Sequence, residues 1–374
     1  MQKKIISKII KPTINEIAKY IPGESFIDGK KDVIKLSSNE SPFQIPKKVS
    51  TLSKELISKF NVYPDGDSNI LKRSLSRTFK INFDQIICGN GSDDILSLVA
   101  QAFSDERSEI ICSQYGFIYY PIVAKISGAK VLTAKTEGLN ISCKNILRLI
   151  TKKTKIIFFA NPNNPTGTVI FRDELLKFIS RVPKSVIVVI DGAYSEFVTN
   201  KNYSDGLDLV KRFPNIIVTR TFSKIYALAG LRLGWAYSSK LIIELLEKIR
   251  GPFNVNSIAQ NVGALILKEK KFLVKSISHN KKWQKKLPLL INSLGLKAYE
   301  TFANFILVEV KGQDQKVKII SQLLKKKIII RDLNNYGLKK FFRVSIGTDS
   351  EMNIFIKTLK LIMKKILKIQ NLKK

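Results

Sequence analysis

The sequence predicts an α/β fold with a large domain, whose mostly parallel sheet is covered by helices, and a smaller α+β domain. Between about residues 86 and 240, short continuous apolar runs alternate with helical segments, as is typical of parallel strands buried on both faces. The 374 residues are enough for two domains. Beyond about residue 256 this alternation stops, which indicates a second domain of different character.

Seven apolar runs of strand length are expected to form the sheet of the large domain. They span 86–88, 109–112, 130–133, 155–159, 186–190, 215–219 and 233–237. None approaches the ~20 apolar residues of a membrane-spanning helix, and the lysine-bearing N-terminus has no signal-peptide core. We therefore predict no membrane partner.

The smaller domain is predicted from the C-terminal third. The pattern indicates a helical stretch near 256–290, a strand at 305–310, a helix at 314–326, strands at 328–331 and 341–345, and an amphipathic helix over about 350–366. Residues 367–374 are expected to be a frayed basic tail. The predicted division is an N-terminal arm at 1–45, with one short helix, that packs on the small domain, a large domain at 46–255 and a small C-terminal domain at 256–374.

Composition limits the function classes. The net charge is +34 at pH 7, but 52 of the 64 basic residues are lysines spread along the whole chain. Without an RNA-binding aromatic motif or a zinc-type cysteine spacing, we predict no specific nucleic-acid partner, and a basic nucleic-acid-binding protein on a degenerate enzyme fold is the alternative. Cys88, Cys112 and Cys143 are widely spaced, which favours a reducing, cytoplasmic compartment. The single histidine, His279, excludes multi-histidine metal sites and is expected on the surface, so no metal is predicted.

One lysine lies in a pattern that fits pyridoxal phosphate (PLP). Lys224 is framed by Thr221 and Ser223, and Arg232 follows eight residues later. An amine can bond to the cofactor aldehyde, while hydroxyls and a guanidinium hold its phosphate. The alternative is that Lys224 is an ordinary solvated lysine.

Three polar residues upstream fit the cofactor ring. Asp191 ends an apolar strand, where its carboxylate can pair with the pyridine nitrogen, and Tyr194 can reach the ring oxygen. Asn164 lies in a rigid Pro- and Gly-rich turn at 161–167 and can donate to the same oxygen. A helix-capping Asp191 and a purely structural turn are the alternatives.

The segment 88–94 joins a strand to a helix, so Gly91, Ser92 and Asp93 would offer backbone N–H groups to a phosphate. Phe117 is expected to stack on the cofactor ring, with Tyr115 as second choice and a core role as the alternative.

Two arginines of the small domain lie at or next to the ends of short strands. The chain has only 12 arginines, so Arg331 and Arg343 at such places suggest an anion clamp, because arginine binds carboxylate or phosphate bidentately. Surface ion pairs are the alternative.

Together, segments 161–167, 191–194 and 221–224 with Arg232 resemble the fold-type I PLP-dependent aminotransferases. Further segments are similar to the subgroup of that family that acts on histidinol phosphate. They are 36–43, 63–66, 89–93, 227–232, 329–332 and 343–347. The similarity covers nearly the whole chain. Aromatic aminotransferases and threonine-phosphate decarboxylase share this subgroup and remain alternatives.

The resemblance implies a cytoplasmic homodimer of histidine biosynthesis. It would transfer an amino group between glutamate/2-oxoglutarate and imidazole-acetol phosphate/histidinol phosphate. Lys224 would bond to the cofactor and shuttle a proton, Asp191 would pair with the pyridine nitrogen, and Phe117 would stack on the ring. Asn164 and Tyr194 would bind the ring hydroxyl oxygen. The phosphate would be surrounded by Gly91, Ser92, Asp93, Thr221, Ser223, Arg232 and Tyr63 of the partner subunit. The substrate would face Tyr20, Asn39, Arg331 and Arg343.

The chain departs from the family at two positions. Family members often carry a glutamate where this chain has Gly192, so a side chain beside the cofactor is expected to be missing. Gln44 stands where a glycine is common.

Overall fold

The computed structural model describes residues 9–21, 23, 24, 26, 27 and 32–371. Its helices are α1 (Lys47–Leu56), α2 (Asn69–Phe79), α3 (Ser92–Phe103), α4 (Tyr119–Ser127), α5 (Cys143–Arg148), α6 (Arg172–Arg181), α7 (Lys240–Ile249), α8 (Ser257–Ile266), α9 (Lys270–Asn292), α10 (Gln313–Lys325) and α11 (Asp349–Asn371). Its strands are β1 (Ile34–Leu36), β2 (Ile86–Gly89), β3 (Glu109–Ser113), β4 (Lys130–Ala134), β5 (Thr154–Ala160), β6 (Ile187–Asp191), β7 (Ile216–Thr221), β8 (Gly234–Ser238), β9 (Lys297–Ala298), β10 (Phe305–Glu309), β11 (Ile328–Asp332) and β12 (Phe341–Ser345).

Seven strands form the larger sheet in the order β2-β8-β7-β6-β5-β3-β4. In this sheet β8 runs antiparallel to both of its neighbours, and the other pairings are parallel. Strand alternation sends Ile157 and Phe159 of β5 into one apolar cluster, and Ile156 and Phe158 into the cluster on the opposite face. The prediction of a mostly parallel sheet covered on both faces is therefore confirmed.

Five strands form the second sheet, in the order β1-β11-β12-β10-β9. One face packs on α9, α10 and α11 through a cluster that includes Trp283, Ile319 and Phe355. Phe342 and Val344 of β12 also point into this cluster. Because side chains alternate along a strand, Arg343 between them points away from the helices.

The N-terminal residues contact both parts of the fold. β1 extends the five-stranded sheet by parallel pairing with β11. A 3-10 helix at Pro12–Glu16 lies against α4, where the Thr13 hydroxyl donates to the Lys125 carbonyl at 2.7 Å. Residues 1–8, 22, 25 and 28–31 lie outside the described residues, and the domain boundaries at 45 and 255 stay a prediction.

Some details differ from the expectations. The helical stretch near 256–290 is two helices, α8 and α9. Because α11 continues to Asn371, the expected tail is wrong for residues 367–371, and residues 372–374 lie outside the described part. None of the helices in the described residues combines the length with the apolar character that a membrane span requires. The three cysteines are buried and unpaired.

The surface placement expected for His279 is wrong. Its side chain is 10% exposed, and its Nε2 lies 2.8 Å from the Gly347 carbonyl oxygen. The surrounding stretch is polar in composition, but it forms part of α9, whose periodicity also buries Ser276 and Asn280. The polar composition of the segment around His279 therefore does not place all of its side chains in solvent.

Candidate active site

The carboxyl ends of β5, β6 and β7 open into a cavity of about 290 Å³. The last residue of each strand, Ala160, Asp191 and Thr221, lines it. Parallel strands bring their carboxyl ends to one edge of a sheet, so residues that are distant in sequence meet there. The opposite wall comes from β11, β12 and the N-terminal residues.

This cavity brings together most of the residues predicted from the sequence. They are Tyr20, Asn39, Ser92, Asp93, Phe117, Asn164, Asp191, Tyr194, Thr221, Ser223, Lys224, Arg232, Arg331 and Arg343. Gly91 directly precedes α3, next to this set. Tyr63 lies elsewhere: it is 78% exposed, and its ring stacks on Phe253 with centroids 4.6 Å apart.

Lys224 follows β7, and its amine points into the cavity. Its Nζ donates to the Ser38 carbonyl at 3.1 Å and lies 6.0 Å from the centre of the Tyr194 ring. Burial, and then the positive charge of Arg343, lower the pKa of Lys224 to about 8. An amine with this pKa is partly neutral near neutral pH, as a nucleophile must be. The solvated-lysine alternative is wrong.

Asp191 is 4% exposed and is the last residue of β6. Its Oδ2 accepts from the Tyr120 hydroxyl at 2.8 Å, and its Oδ1 accepts from the Ala193 backbone N–H at 3.2 Å. Burial raises the pKa of Asp191 to about 6, and the bond from Tyr120 opposes that rise. The helix-capping alternative is wrong, because the 3-10 helix that follows, Ser195–Phe197, is capped by Tyr194 and receives no side-chain cap bond.

Tyr194 and Asn39 form a bonded pair beside the lysine. The Asn39 Nδ2 donates to the Tyr194 hydroxyl at 2.9 Å. The Ser345 hydroxyl fixes Asn39, because it donates to Oδ1 at 2.9 Å and accepts from the Asn39 backbone N–H at 2.8 Å. Burial raises the pKa of Tyr194 to about 12, so its phenol stays protonated at neutral pH.

The turn at 161–167 aims Asn164 into the cavity. The Asn161 side chain closes the turn by bonds to the backbone N–H and C=O of Ile170 at 2.8 and 3.0 Å. Asn164 itself accepts a hydrogen bond from the Arg343 guanidinium through its Oδ1. The residue therefore does more than shape a turn.

An anion cradle lies at the start of α3. The N-terminus of this helix, Ser223 and Arg232 face the same space. Arg232 Nη1 donates to the Ser223 hydroxyl at 3.4 Å, and Nη2 lies 3.5 Å from Asp93 Oδ2. Gly91 has φ +93°, a backbone conformation that favours glycine, and its missing side chain leaves the adjoining space to Arg232, whose Nη2 would lie 2.6 Å from a Cβ at this position. Helix N–H groups, a hydroxyl and a guanidinium together suit a phosphate.

Phe117 forms an aromatic wall of the cavity. Its ring also meets Tyr120 edge-on, with centroids 5.6 Å apart and planes at 87°. The second choice, Tyr115, does not line the cavity and packs against a small apolar cluster around Leu307. Of the two aromatic candidates, only Phe117 borders the cavity.

Arg331 and Arg343 are cross-strand partners in the antiparallel pairing of β11 and β12. They are 8% and 5% exposed, so the surface ion-pair alternative is wrong. Arg331 Nη2 donates to the Ile21 carbonyl at 3.1 Å, and Arg343 Nη2 to the Ser37 carbonyl at 2.8 Å. Like charges directly opposite each other are destabilising, which indicates a place for an anion between them. Arg343 lies in the middle of β12, not near its end.

Sequence reasoning missed several cavity residues. They include Gly23, Ser37, Ser38, Glu40 and Tyr336 on the cavity wall, and Tyr120 behind Asp191. Ser38 contributes a backbone carbonyl, which no sequence pattern reveals. Tyr120 was visible as the last residue of an aromatic run, where helical spacing would have placed it one turn from Phe117.

The expectation that a side chain is missing beside the cofactor at Gly192 is wrong. A Cβ there would lie 2.6 Å from the Ser195 hydroxyl and 3.0 Å from Arg220 Nε. Arg220 is buried there and is paired with Glu196 and Asp205 at 3.1 and 2.6 Å. The space next to Gly192 is therefore filled by this ion network, and Gly192 does not line the cavity. Gln44 lies exposed in the segment before α1.

Residues 31–359 match the family model described as aminotransferase class I and II. The chain belongs to this family. It is 41% identical over 352 residues to a histidinol-phosphate aminotransferase of Pelagibacter ubique (strain HTCC1062), covering 93% of this chain and 97% of that protein. It is 36% identical over 353 residues to a histidinol-phosphate aminotransferase of Maricaulis maris (strain MCS10), covering 94% and 98%.

Its fold is similar to the crystal structure of histidinol-phosphate aminotransferase from Sinorhizobium meliloti in complex with pyridoxal-5′-phosphate. The TM-score is 0.88 at 21% identity, and the match covers 96% of this chain and 98% of that one. The sequence-based assignment to the aminotransferases and to their fold is confirmed by these comparisons.

Membership of this family implies PLP as the cofactor, and the residues that line the cavity fit this group. The buried carboxylate of Asp191 has the chemistry to pair with a pyridine nitrogen, the Lys224 amine of lowered pKa has the chemistry to bond to an aldehyde, and Phe117 would offer a ring for stacking. The cradle that a Cβ at Gly91 would fill suits the phosphate.

Proposed function

We propose that this aminotransferase uses PLP to transfer an amino group between glutamate/2-oxoglutarate and imidazole-acetol phosphate/histidinol phosphate. The observation that carries the proposal is the buried pair Arg331 and Arg343, which faces Lys224 across one cavity. Relatives that are 34–41% identical over nearly the whole chain carry the name histidinol-phosphate aminotransferase, which supports this substrate.

The floor of the cavity holds the cofactor in this proposal. Thr221, Ser223, Arg232 and the N-terminus of α3 bind the phosphate, and Phe117 covers the ring. Asn164 and Tyr194 hold the ring oxygen. When bound, PLP supplies an electron sink for the pair of electrons left on the substrate α-carbon after its proton is removed.

Lys224 and Asp191 perform the proton chemistry. Lys224 Nζ would act as the base that takes the proton from the substrate α-carbon and, once protonated, as the acid that gives it up again. Its lowered pKa keeps a useful fraction of the amine neutral for this step. The ionised Asp191 would pair with the pyridine nitrogen of the cofactor and favour its protonated form, which would let the ring accept charge.

The arginine pair accounts for two different anions in one site. Arg331 and Arg343 bind the phosphate ester of histidinol phosphate in one half-reaction and the distal carboxylate of glutamate in the other. Tyr20 and Asn39 border the same space. An amine without a second anionic group leaves the two buried positive charges without a counter-anion and is therefore a poor substrate.

A homodimer completes the proposal. Tyr63, Phe60 and Val62 are 78%, 63% and 63% exposed, which leaves an apolar segment available to a second copy. Tyr63 of the partner subunit would then reach the phosphate. Three buried, unpaired cysteines support a reducing, cytoplasmic location.

A half-reaction screen tests the substrate. The purified PLP-loaded protein is mixed with histidinol phosphate, glutamate, histidinol, tyrosine or phosphothreonine, and cofactor absorbance is followed without a keto acid. We expect fast conversion with the first two and slow conversion with histidinol and tyrosine. Tyrosine reacting as fast as histidinol phosphate would point to an aromatic aminotransferase. Carbon dioxide release from phosphothreonine would point to a decarboxylase, and no reaction at all to a degenerate enzyme.

A further inference from the structure

Tyr120 contacts Asp191 from behind the cavity. It lies on α4 and is fully buried, and its hydroxyl donates to Asp191 Oδ2 at 2.8 Å. The other carboxylate oxygen, Oδ1, accepts from the Ala193 backbone N–H at 3.2 Å. Two donors from separate elements therefore hold the two oxygens of this carboxylate in place.

The ring of Tyr120 is itself fixed on two sides. It stacks on Phe158 of β5, with centroids 5.4 Å apart and planes at 10°. It also meets Phe117 edge-on at 5.6 Å. Because neither contact depends on the hydroxyl, the ring holds the phenol oxygen at one position, and one residue links the aromatic wall to Asp191.

The Tyr120 hydroxyl opposes other groups that raise the pKa of Asp191. Burial raises the pKa of Asp191, and the negative charge of Asp93 raises it further. The hydrogen bonds from Tyr120 and the Ala193 backbone lower it. The pKa of Tyr120 lies well above its usual value because the residue is buried beside Asp191, so its phenol keeps its proton and remains a donor.

We propose that Tyr120 is a positioning residue, whose hydroxyl orients the Asp191 carboxylate and keeps it charged toward the pyridine nitrogen of the cofactor. This role rests on the proposed function, since it needs PLP in the cavity. A carboxylate that rotates or takes up a proton no longer accepts a hydrogen bond from that nitrogen, and the ring then accepts charge less well.

The test compares two single-oxygen deletions on adjacent residues. Tyr120→Phe removes the hydroxyl on Asp191 and keeps the ring stack. Tyr119→Phe is the matched control, because its hydroxyl pairs with Ser97 Oγ at 2.9 Å rather than with Asp191. Thermal unfolding of both variants checks that they fold.

The readout is the equilibrium dissociation constant of the apoenzyme for two ligands. One is PLP, and the other is an analogue in which a carbon atom replaces the ring nitrogen. For Tyr120→Phe we expect PLP affinity to fall roughly tenfold, as when one hydrogen bond to a charged group is lost. Affinity for the analogue should stay within about twofold, since it offers Asp191 no nitrogen. Tyr119→Phe should change neither constant by more than about twofold.

Three outcomes decide between the explanations. An equal loss of both ligands in Tyr120→Phe would mean that the residue only supports the aromatic stack, and no loss would mean that its hydroxyl is irrelevant; either result overturns the proposal. Failure of the wild-type protein to bind PLP would instead overturn the proposed function. With saturating PLP, kcat should fall in Tyr120→Phe while KM for the amino donor stays unchanged, because the substrate contacts are intact.

Discussion

The cavity has two walls of different origin. On the wall formed by the seven-stranded sheet, the key polar residues lie at strand ends or just beyond them, whereas on the opposite wall two arginines lie within paired strands. Asp191 and Thr221 are the last residues of β6 and β7, and Lys224 follows three residues later. Arg343, by contrast, lies in the middle of β12 and is aligned with Arg331 only through the pairing of β11 with β12.

The two walls differ in how much of their structure is encoded in short sequence segments and how much depends on contacts between segments that are distant in sequence. The first wall is assembled from short motifs, each of which follows a strand, and the parallel sheet brings them together. The second wall depends on a register between strands and on contacts such as that of Arg343 with the Ser37 carbonyl. If this comparison is right, changes in the first wall should abolish the chemistry and changes in the second should alter substrate use.

Replacing Lys224 should have the largest effect. Lys224→Ala removes both the amine that holds the cofactor and the group that moves the proton, so we expect a loss on the order of 10⁵-fold in kcat. Steady-state assay with glutamate and a keto acid measures it, and borohydride reduction with peptide mapping should place the cofactor on Lys224 in the wild type. Lys240→Ala, at a lysine that is 65% exposed, is the control. Recovery of the reduced cofactor on another lysine would show that Lys224 does not bind it and would contradict the comparison of the two walls.

Asp191→Asn should keep the cofactor bound and lose most of the transamination. An amide does not hold a pyridine nitrogen protonated, so we expect a rate loss on the order of 10³-fold, or several kcal/mol in the barrier. Single-turnover kinetics measure the loss, and Asp173→Asn on the exposed start of α6 is the control. Near-normal turnover would show that Asp191 is not the partner of the ring.

Arg331→Ala and Arg343→Ala should weaken histidinol phosphate and glutamate together. Each lost charge-assisted bond should cost roughly 1.5–3 kcal/mol, or about 10- to 100-fold in kcat/KM. Histidinol should change little. Arg172→Ala, at a half-exposed arginine on α6, is the control. Loss of only one anionic substrate would show that the two arginines do not act as one clamp.

The smallest expected effect concerns the pKa of Lys224, which depends on a residue of the opposite wall, Arg343. Arg343 contributes to the lowered pKa of Lys224, which is about 8, so Arg343→Ala should raise this pKa, while burial, the larger cause, keeps it below 10.5. Competitive acetylation of the apoenzyme between pH 6 and 11, with mass spectrometry of the Lys224 peptide, measures the midpoint. Arg172→Ala should leave the midpoint unchanged. A midpoint near the usual value of 10.5 in the wild type would contradict the burial of this amine.

Much of the cofactor-side wall was predictable because its signals are local. An apolar run followed by Asp191, or by the hydroxyl-framed Lys224, identifies a strand end and the chemistry there in one short segment. The same approach failed at His279, where part of a polar run lies on the buried face of the amphipathic helix α9, and at Gly192, where Arg220, which is remote in sequence, fills the space. Both errors came from neighbours that are remote in sequence.

By itself the sequence determined which motifs follow strands, the mostly parallel character of the larger sheet and the identity of most polar groups that line the cavity, because side-chain periodicity and turn residues are properties of short segments. Only the tertiary structure decided that Arg331 lies opposite Arg343, that Tyr120 bonds to Asp191 and that the Ser38 carbonyl accepts from Lys224. These contacts depend on strand register, helix docking and backbone path, which are set by the packing of the whole chain and leave no local trace.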